Sequence, residues 1–246
     1  MNRDILSDAG REGDAFFIMN TAFSSTAKYA GCTCLGDYIA DFNNDGSTGG
    51  NGSDVLRAVL NGLVNGGFSG LTHGHCAVNF AVPRCLSNAI GHSIDSRSRE
   101  MICRWLEMTA FTSFFRTHDG GCGARECEGN GNSMLNAQDD DVVLRSLARW
   151  SHVFVALSEY RLRLLNDASF KGYPVVRHPS MHYPNDVTFV GNDVGKKDDT
   201  SACSSTFMMG DLIYVAPVLK CGVVKSKVYL PQGAWIHLWV SDVNIS

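Results

Sequence analysis

The chemistry-bearing residues of this 246-residue chain sit at the ends of short apolar runs. Asp37 follows Gly36 and sets a carboxyl group beyond the stretch that leads to Leu35. Alone, an aspartate in that setting most often serves as a turn residue or helix cap. It donates protons only if burial or a neighbouring negative charge raises its pKa. Arg116-Thr117-His118 follows Phe111-Thr112-Ser113-Phe114-Phe115. A lone histidine there is commonly a satisfied structural residue, and Arg116 suits holding a carboxylate or loop in place better than reacting. Asp41 reads as a binding residue or as a solvated loop group. His73-Gly74-His75-Cys76, with Cys122 and Cys127, offers imidazole and thiolate, the groups zinc prefers. Alternating strand positions point to opposite faces, and no standard pair-of-pairs spacing occurs, so metal binding stays a minor reading and no metal is assigned. Cys32 and Cys34 lack Cys-x-x-Cys spacing and suit small apolar fillers.

Strand-like runs alternate with amphipathic helices, the pattern of βαβ units and a parallel sheet, which places the chain in the α/β class. Ala15-Phe16-Phe17-Ile18-Met19 predicts a strand buried on both faces. The Gly/Asn/Ser tract from Asn43 to Ser53 predicts a surface insertion. Ser53 or Asp54 then caps a helix with Val55, Leu56, Val59, Leu60 and Leu63 on one face, ended by Gly66-Gly67 before a strand over 68–72. A second helix over 96–110 carries Ile102, Trp105, Leu106 and Thr109 on its stripe and leads into a strand over 111–115. Asp139-Asp140-Asp141 suits a helix N-terminus; Val143, Leu147, Trp150, Phe154 and Leu157 predict the longest helix of the chain, closed at Gly172. Trp105 and Trp150 are expected in the core. A short strand is predicted over 173–179 and a polar loop over 185–205. From Leu212 the alternation turns to period two, over 213–218 and 225–231, as in an antiparallel sandwich.

Several of these segments resemble glycoside hydrolase family 31, whose members include α-glucosidases, α-xylosidases and sulfoquinovosidases. Tyr29-Ala30-Gly31 through Leu35-Gly36-Asp37 resembles the segment ending in the family's acid/base aspartate, and Gly36-Asp37-Tyr38-Ile39-Ala40-Asp41-Phe42 is closest to the sulfoquinovosidase-type branch. Arg104-Trp105-Leu106-Glu107-Met108-Thr109-Ala110-Phe111 with Phe115-Arg116-Thr117-His118 resembles the helix and strand that end in its active-site histidine. Pro174-Val175-Val176-Arg177, His182-Tyr183-Pro184, Phe207-Met208-Met209-Gly210 and Val215-Ala216-Pro217-Val218-Leu219 resemble its last barrel strand and the exit into its β-domain. The stretch from Val228 to Trp239 completes the similarity.

The resemblance implies the C-terminal half of a TIM (β/α)8 barrel over residues 1–211, then the start of a truncated all-β sandwich over 212–246. It implies a retaining α-glycosidase acting on α-glucosides or α-sulfoquinovosides, with Asp37 as acid/base and His118, Arg116, His75 and Asp41 contacting the carbohydrate substrate. The nucleophile aspartate would lie upstream of residue 1, and no cofactor is implied. A half-barrel would leave open strand edges and unpartnered apolar faces. Three positions depart from the family pattern: Asn20 stands where an arginine reaches the substrate, Cys34 where a tryptophan walls the sugar pocket, and His75 where an aspartate binds a sugar hydroxyl. Those departures motivate a second reading, a non-catalytic carbohydrate-binding or interaction remnant of such an enzyme.

Composition limits the alternatives. A net charge of −4 without a basic stripe argues against nucleic acid as partner. No window approaches a membrane span, and residues 1–8 lack the apolar centre of a signal peptide, so neither membrane anchoring nor secretion is expected. Nine irregularly spaced cysteines suit reduced thiols in a cytoplasmic or organellar interior.

Overall fold

The computed structural model describes residues 2–20, 31–39, 53–79, 96–116, 140–190 and 205–239. Within them the chain is an α/β arrangement with two three-stranded sheets. The first joins β1 (Ile18–Met19), β2 (Cys32–Ile39) and β3 (Gly74–Asn79) in that order, every pair parallel. Parallel neighbours need a crossover, and the helix between β2 and β3, α2 (Ser53–Phe68), packs on both strands. An N-terminal helix α1 (Asn2–Asp8) precedes the sheet.

The helical stripes lie where their spacing places them. Leu56, Val59, Leu60 and Leu63 of α2 are buried together with Met101, Ile102, Trp105, Leu106 and Met108 of α3 (Ser96–Thr109). Trp105 has no exposed surface, and its indole N–H donates to Cys76 Sγ at 3.4 Å, tying α3 to β3. Trp150 is also in the core. Asp140 caps α4 (Asp141–Ala156) by accepting from the amides of Val142 and Val143, and its carboxylate also pairs with Arg99 at the start of α3. Burial pushes the Asp140 carboxyl up, but Arg99 and the two amides outweigh that effect and leave it below its ordinary value.

The structure departs from the sequence expectations in several places, first at β1, which is two residues long with Phe16 and Ile18 exposed rather than a strand over 15–19 buried on both faces. The predicted single helix from Asp141 to Gly172 breaks at Leu157 (φ −90°, ψ 9°) into α4 and α5 (Ser158–Lys171). Gly172 does close α5, in the left-handed conformation. Helix α2 runs through Gly66-Gly67 to Phe68, so no strand forms over 68–72. Gly67 serves close packing instead: a Cβ there would come within 2.9 Å of Pro174 Cγ. Residues 111–115 form a turn, bend and extended chain rather than a strand, because the end of α3 tightens: Phe111 N–H donates to Met108 O and Thr112 N–H to Thr109 O. The Thr112 hydroxyl, within reach of Thr109 O and Phe114 O, fixes the bend. Finally, residues 225–231 form no strand; Val228, Tyr229 and Leu230 are exposed, with no neighbouring ladder among the described residues. The 43–52 part of the glycine-rich tract and the 191–204 part of the polar loop lie outside the described residues.

The second sheet is antiparallel, β4 (Val176–Arg177), β5 (Phe207–Met209) and β6 (Ile213–Val215) in order. The short strand predicted over 173–179 is therefore present, but it pairs antiparallel with β5. One backbone bond joins this sheet to the approach of β3, Val175 N–H donating to Thr72 O, while Gly210 N–H donates to Val175 O at the sheet's own edge. The hydroxyl of Tyr160 on α5 braces the β5–β6 turn, accepting from the amides of Asp211 and Leu212 and donating toward Met209 O. Gly210 sits at φ +62°, and a Cβ there would fall 2.4 Å from both Leu164 Cδ2 and the Tyr160 hydroxyl. At Gly172 the backbone is similarly left-handed, but the space around it is open.

That contrast gives a stability test by urea unfolding. Gly172→Ala is expected to cost about 1 kcal/mol, the backbone penalty alone. Gly210→Ala is expected to cost about 2–4 kcal/mol, because overpacking adds to the same penalty. Equal midpoints for the two variants would contradict the packing around Tyr160. A second test concerns the thiols. Cys32 and Cys76 are buried, and burial, with the nearby Cys34, pushes both thiols up to about 12. Since the thiolate is the reactive form, both are expected to resist iodoacetamide at pH 8 in the folded protein and to label in denaturant, while the part-exposed Cys221 labels before either of them. Mass spectrometry of the labelled peptides reads the order.

Candidate functional site

In a parallel α/β sheet, functional groups gather at the carboxyl ends of the strands. The register of β1–β3 shows where the candidate residues stand along the strands: their row leaves β1 at its carboxyl end but crosses β2 and β3 near their amino ends. Met19 pairs with Thr33 and Thr33 with Gly74; the next pair is Cys34 with His75. Asn20, the residue after β1, therefore extends the same transverse row as Cys34 and His75. The three positions that depart from the family pattern lie side by side. Cys34 (3% exposed) and His75 (2%) are both enclosed, whereas Asn20 is exposed. The His75 ring meets Phe114 edge-on at 6.0 Å, and Phe114 also packs against Phe16 at 5.5 Å. These aromatic contacts cover the row from one side.

Asp37 lies further along β2, paired in register with Ala77. Between Cys34 and Asp37 β2 advances three residues while β3 advances two, from His75 to Ala77, which marks a β-bulge. Strand alternation has period two, so three regular steps would place position 37 out of phase with position 34. The extra residue restores the phase, and backbone position 37 falls in the alternation class of positions 34, 75 and 77.

Arg116 is exposed, at the end of the extended segment that leaves α3. His118 and Asp41 lie outside the described residues, as do Cys122 and Cys127. Of the predicted site residues, the structure therefore brings Asp37 and His75 onto neighbouring strands and puts Arg116 two residues beyond Phe114, the ring on His75. His75 and Cys76 diverge, one against Phe114 and the other against Trp105, so they do not share an ion. Among the described residues no group of three or more His, Cys, Asp or Glu is placed to hold a metal.

Two features of the surroundings escaped sequence reasoning. The first is Arg161 on α5, buried, with its guanidinium donating to Ala110 O, Thr112 O and Phe154 O. Its position between the apolar residues Leu157 and Leu164, on the buried stripe of α5, was the available signal. The second lies beside β4. Buried Arg177 donates from Nε to Pro174 O at 2.7 Å, and its Nη1 comes within 3.4 Å of His182 Nε2. Burial, then the charge of Arg177, holds the His182 imidazole below its ordinary value, which suits Nε2 as acceptor. His178 Nδ1 accepts from Ser180 N–H and caps the short 3₁₀ turn Pro179–Met181.

Comparison with known proteins finds similarity in sequence and in fold. Residues 172–245 match the Glycosyl hydrolase family 31 C-terminal domain. A sulfoquinovosidase of Agrobacterium fabrum is 29% identical over 97% of the chain, and one of Escherichia coli 25% identical over 98%. The chain spans about a third of the length of these relatives, 31% and 30%. Among solved structures, a GH31 α-xylosidase from a soil metagenome superposes with a TM-score of 0.65 at 19% identity, over 94% of this chain and 31% of that one. A GH31 α-xylosidase from Xanthomonas citri gives 0.62 at 21% identity, over 89% of this chain and 21% of that one. The C-terminal domain match, two sulfoquinovosidases aligned along nearly all of the chain and the fold shared with two α-xylosidases together support an assignment to glycoside hydrolase family 31.

Proposed function

We propose that these residues form part of a retaining α-glycosidase that hydrolyses α-glucosides or α-sulfoquinovosides, with Asp37 as the acid/base. The observation that carries the reading is the position of Asp37 near the carboxyl end of the central parallel strand, returned by the bulge to the phase of Cys34 and His75. The sulfoquinovosidase relatives favour the sulfonated sugar as one of the two candidate substrates. In this reading residues 1–211 belong to the C-terminal half of a (β/α)8 barrel and residues 212–246 begin a β-sandwich.

Retention requires two carboxyl groups about 5–5.5 Å apart. One attacks the anomeric carbon and forms a covalent glycosyl intermediate; the other, Asp37, gives its proton to the departing glycosidic oxygen. Asp37 then takes a proton from the water that attacks the intermediate, returning both groups to their starting states. The attacking carboxylate would come from sequence outside these 246 residues. Arg116 and His118, just past the end of α3, would contact the sugar or the attacking carboxylate, with His75 and Asp41 on the sugar from the β2–β3 side. The chemistry calls for no metal or organic cofactor.

One observation favours a second reading, a carbohydrate-binding protein without turnover: His75 and Cys34 are enclosed where the family's pattern has a hydroxyl-binding aspartate and a pocket tryptophan. A single assay series separates the two. The chain, joined to the sequence that supplies the attacking carboxylate, is incubated with aryl α-glucoside and aryl α-sulfoquinovoside, and binding of each is followed by calorimetry. The glycosidase reading expects turnover that falls about 100-fold or more in Asp37→Asn, the loss typical of removing a general acid/base. Turnover unaffected by Asp37→Asn would overturn the assignment of Asp37. Binding without turnover would establish the second reading, and neither binding nor turnover would overturn both.

A further inference from the structure

A buried cation normally meets a carboxylate, because an unpaired charge is costly to desolvate. Arg161 is 4% exposed and has no carboxylate partner among the described residues. Its guanidinium is met instead by backbone carbonyls: Nε donates to Thr112 O at 2.9 Å, Nη2 to Ala110 O at 3.0 Å, and Nη1 to Phe154 O at 2.7 Å. Its face lies over the Phe154 ring, with Cζ 3.5 Å from the centroid.

Those carbonyls come from two helix ends. Ala110 and Thr112 follow directly on α3, and Phe154 stands in the last turn of α4. Helix C-termini leave carbonyls without partners inside the helix and carry the negative end of the macrodipole, so one cation there satisfies both needs. A planar fork can divide its donors between two helices; a lysine ammonium concentrates its donors on one nitrogen. Burial alone pulls the guanidinium down to about 10, which leaves it charged at neutral pH.

The clamp lies immediately before the segment that leads to Arg116. Phe115 packs on Phe154 at 5.5 Å, the same ring that lies under Arg161. Phe114 turns the other way, onto His75 of β3 and Phe16 ahead of β1. A shift at residues 110–112 would therefore move the ring that covers the Cys34–His75 row and the point from which Arg116 and its successors start.

We propose that Arg161 is a positioning residue: by capping α3 and α4 together it fixes where the 113–116 segment leaves the helices and so where Arg116 stands relative to Phe114 and the Cys34–His75 row. The functional half of this inference rests on the glycosidase reading; the mechanical half stands without it.

The test uses Arg161→Ala and Arg161→Lys in the chain joined to the sequence that supplies the attacking carboxylate. Hydrogen exchange across residues 110–116 is followed by mass spectrometry, with peptides of α2 as internal reference. Both variants are expected to exchange roughly tenfold or more faster at 110–116, the loss of one or more charge-assisted hydrogen bonds, with α2 unchanged. Guanidinium chloride at low millimolar concentration, but not sodium chloride, is expected to restore protection in Arg161→Ala and to restore kcat/KM on the aryl α-glycoside in parallel. Wild-type exchange at 110–116 in the lysine variant, which keeps charge and length if the alanine variant does not fold, would overturn the clamp. Faster exchange with unchanged kcat/KM would overturn the positioning role. Absence of turnover from the wild-type chain joined to the sequence that supplies the attacking carboxylate would end the glycosidase reading, and exchange alone would then decide the clamp.

Discussion

A fully enclosed indole ties helix α3 to the parallel sheet. Trp105 surrenders all of its surface and spends its N–H on the Cys76 thiol of β3. An aromatic side chain of that size buries on the order of 150–250 Å², so its contribution outweighs any one polar contact nearby. Everything that approaches the strand ends from the helix side does so relative to this anchor. Phe111 packs on Trp150 of α4, and the 110–112 turn that carries the chain away from α3 is held by the α5 arginine. Apolar burial thus sets the distance between layers, and hydrogen bonds to carbonyls set the direction in which the chain departs.

The contrast between Trp105 and Arg161 shows two ways of satisfying a crowded interior. The indole needs one acceptor and finds a soft one, a sulfur with little competing solvation. The guanidinium needs several acceptors and finds them where two helices stop, so its charge is spread over peptide dipoles rather than cancelled by an anion. Tyr160, one position earlier, does for the β5–β6 turn what Arg161 does for the helix ends, collecting the amides of Asp211 and Leu212 on one oxygen. Consecutive residues of α5 therefore fix one turn of each neighbouring layer, although the outer face of the same helix exposes Leu162 and Phe170.

Much of this frame was legible in the sequence. The stripes Leu56/Val59/Leu60/Leu63 and Ile102/Trp105/Leu106 follow the 3.6-residue repeat and are buried as that repeat requires. The run Phe111–Phe115 has the composition of a strand, yet the Thr112 hydroxyl and the α5 guanidinium capture the Phe114 and Thr112 carbonyls that a ladder would use. No local signal marks the break at Leu157, because Ala156, Leu157 and Ser158 are all compatible with a continuing helix. At the candidate site, Asp37 was legible only through the resemblance of Gly36-Asp37 to a family segment. The alignment of Asn20, Cys34 and His75 in one row needed the register, which a sequence does not carry when strands are separated by long connections.

The bulge in β2 makes the spacing between Cys34 and Asp37 a reading frame of its own kind. Losing or gaining one amino acid there would invert the side of the sheet to which every later residue of the strand belongs, while the same indel in a surface connection would pass unnoticed. Tolerance to length change should therefore drop sharply over these few codons, independently of which amino acids they specify.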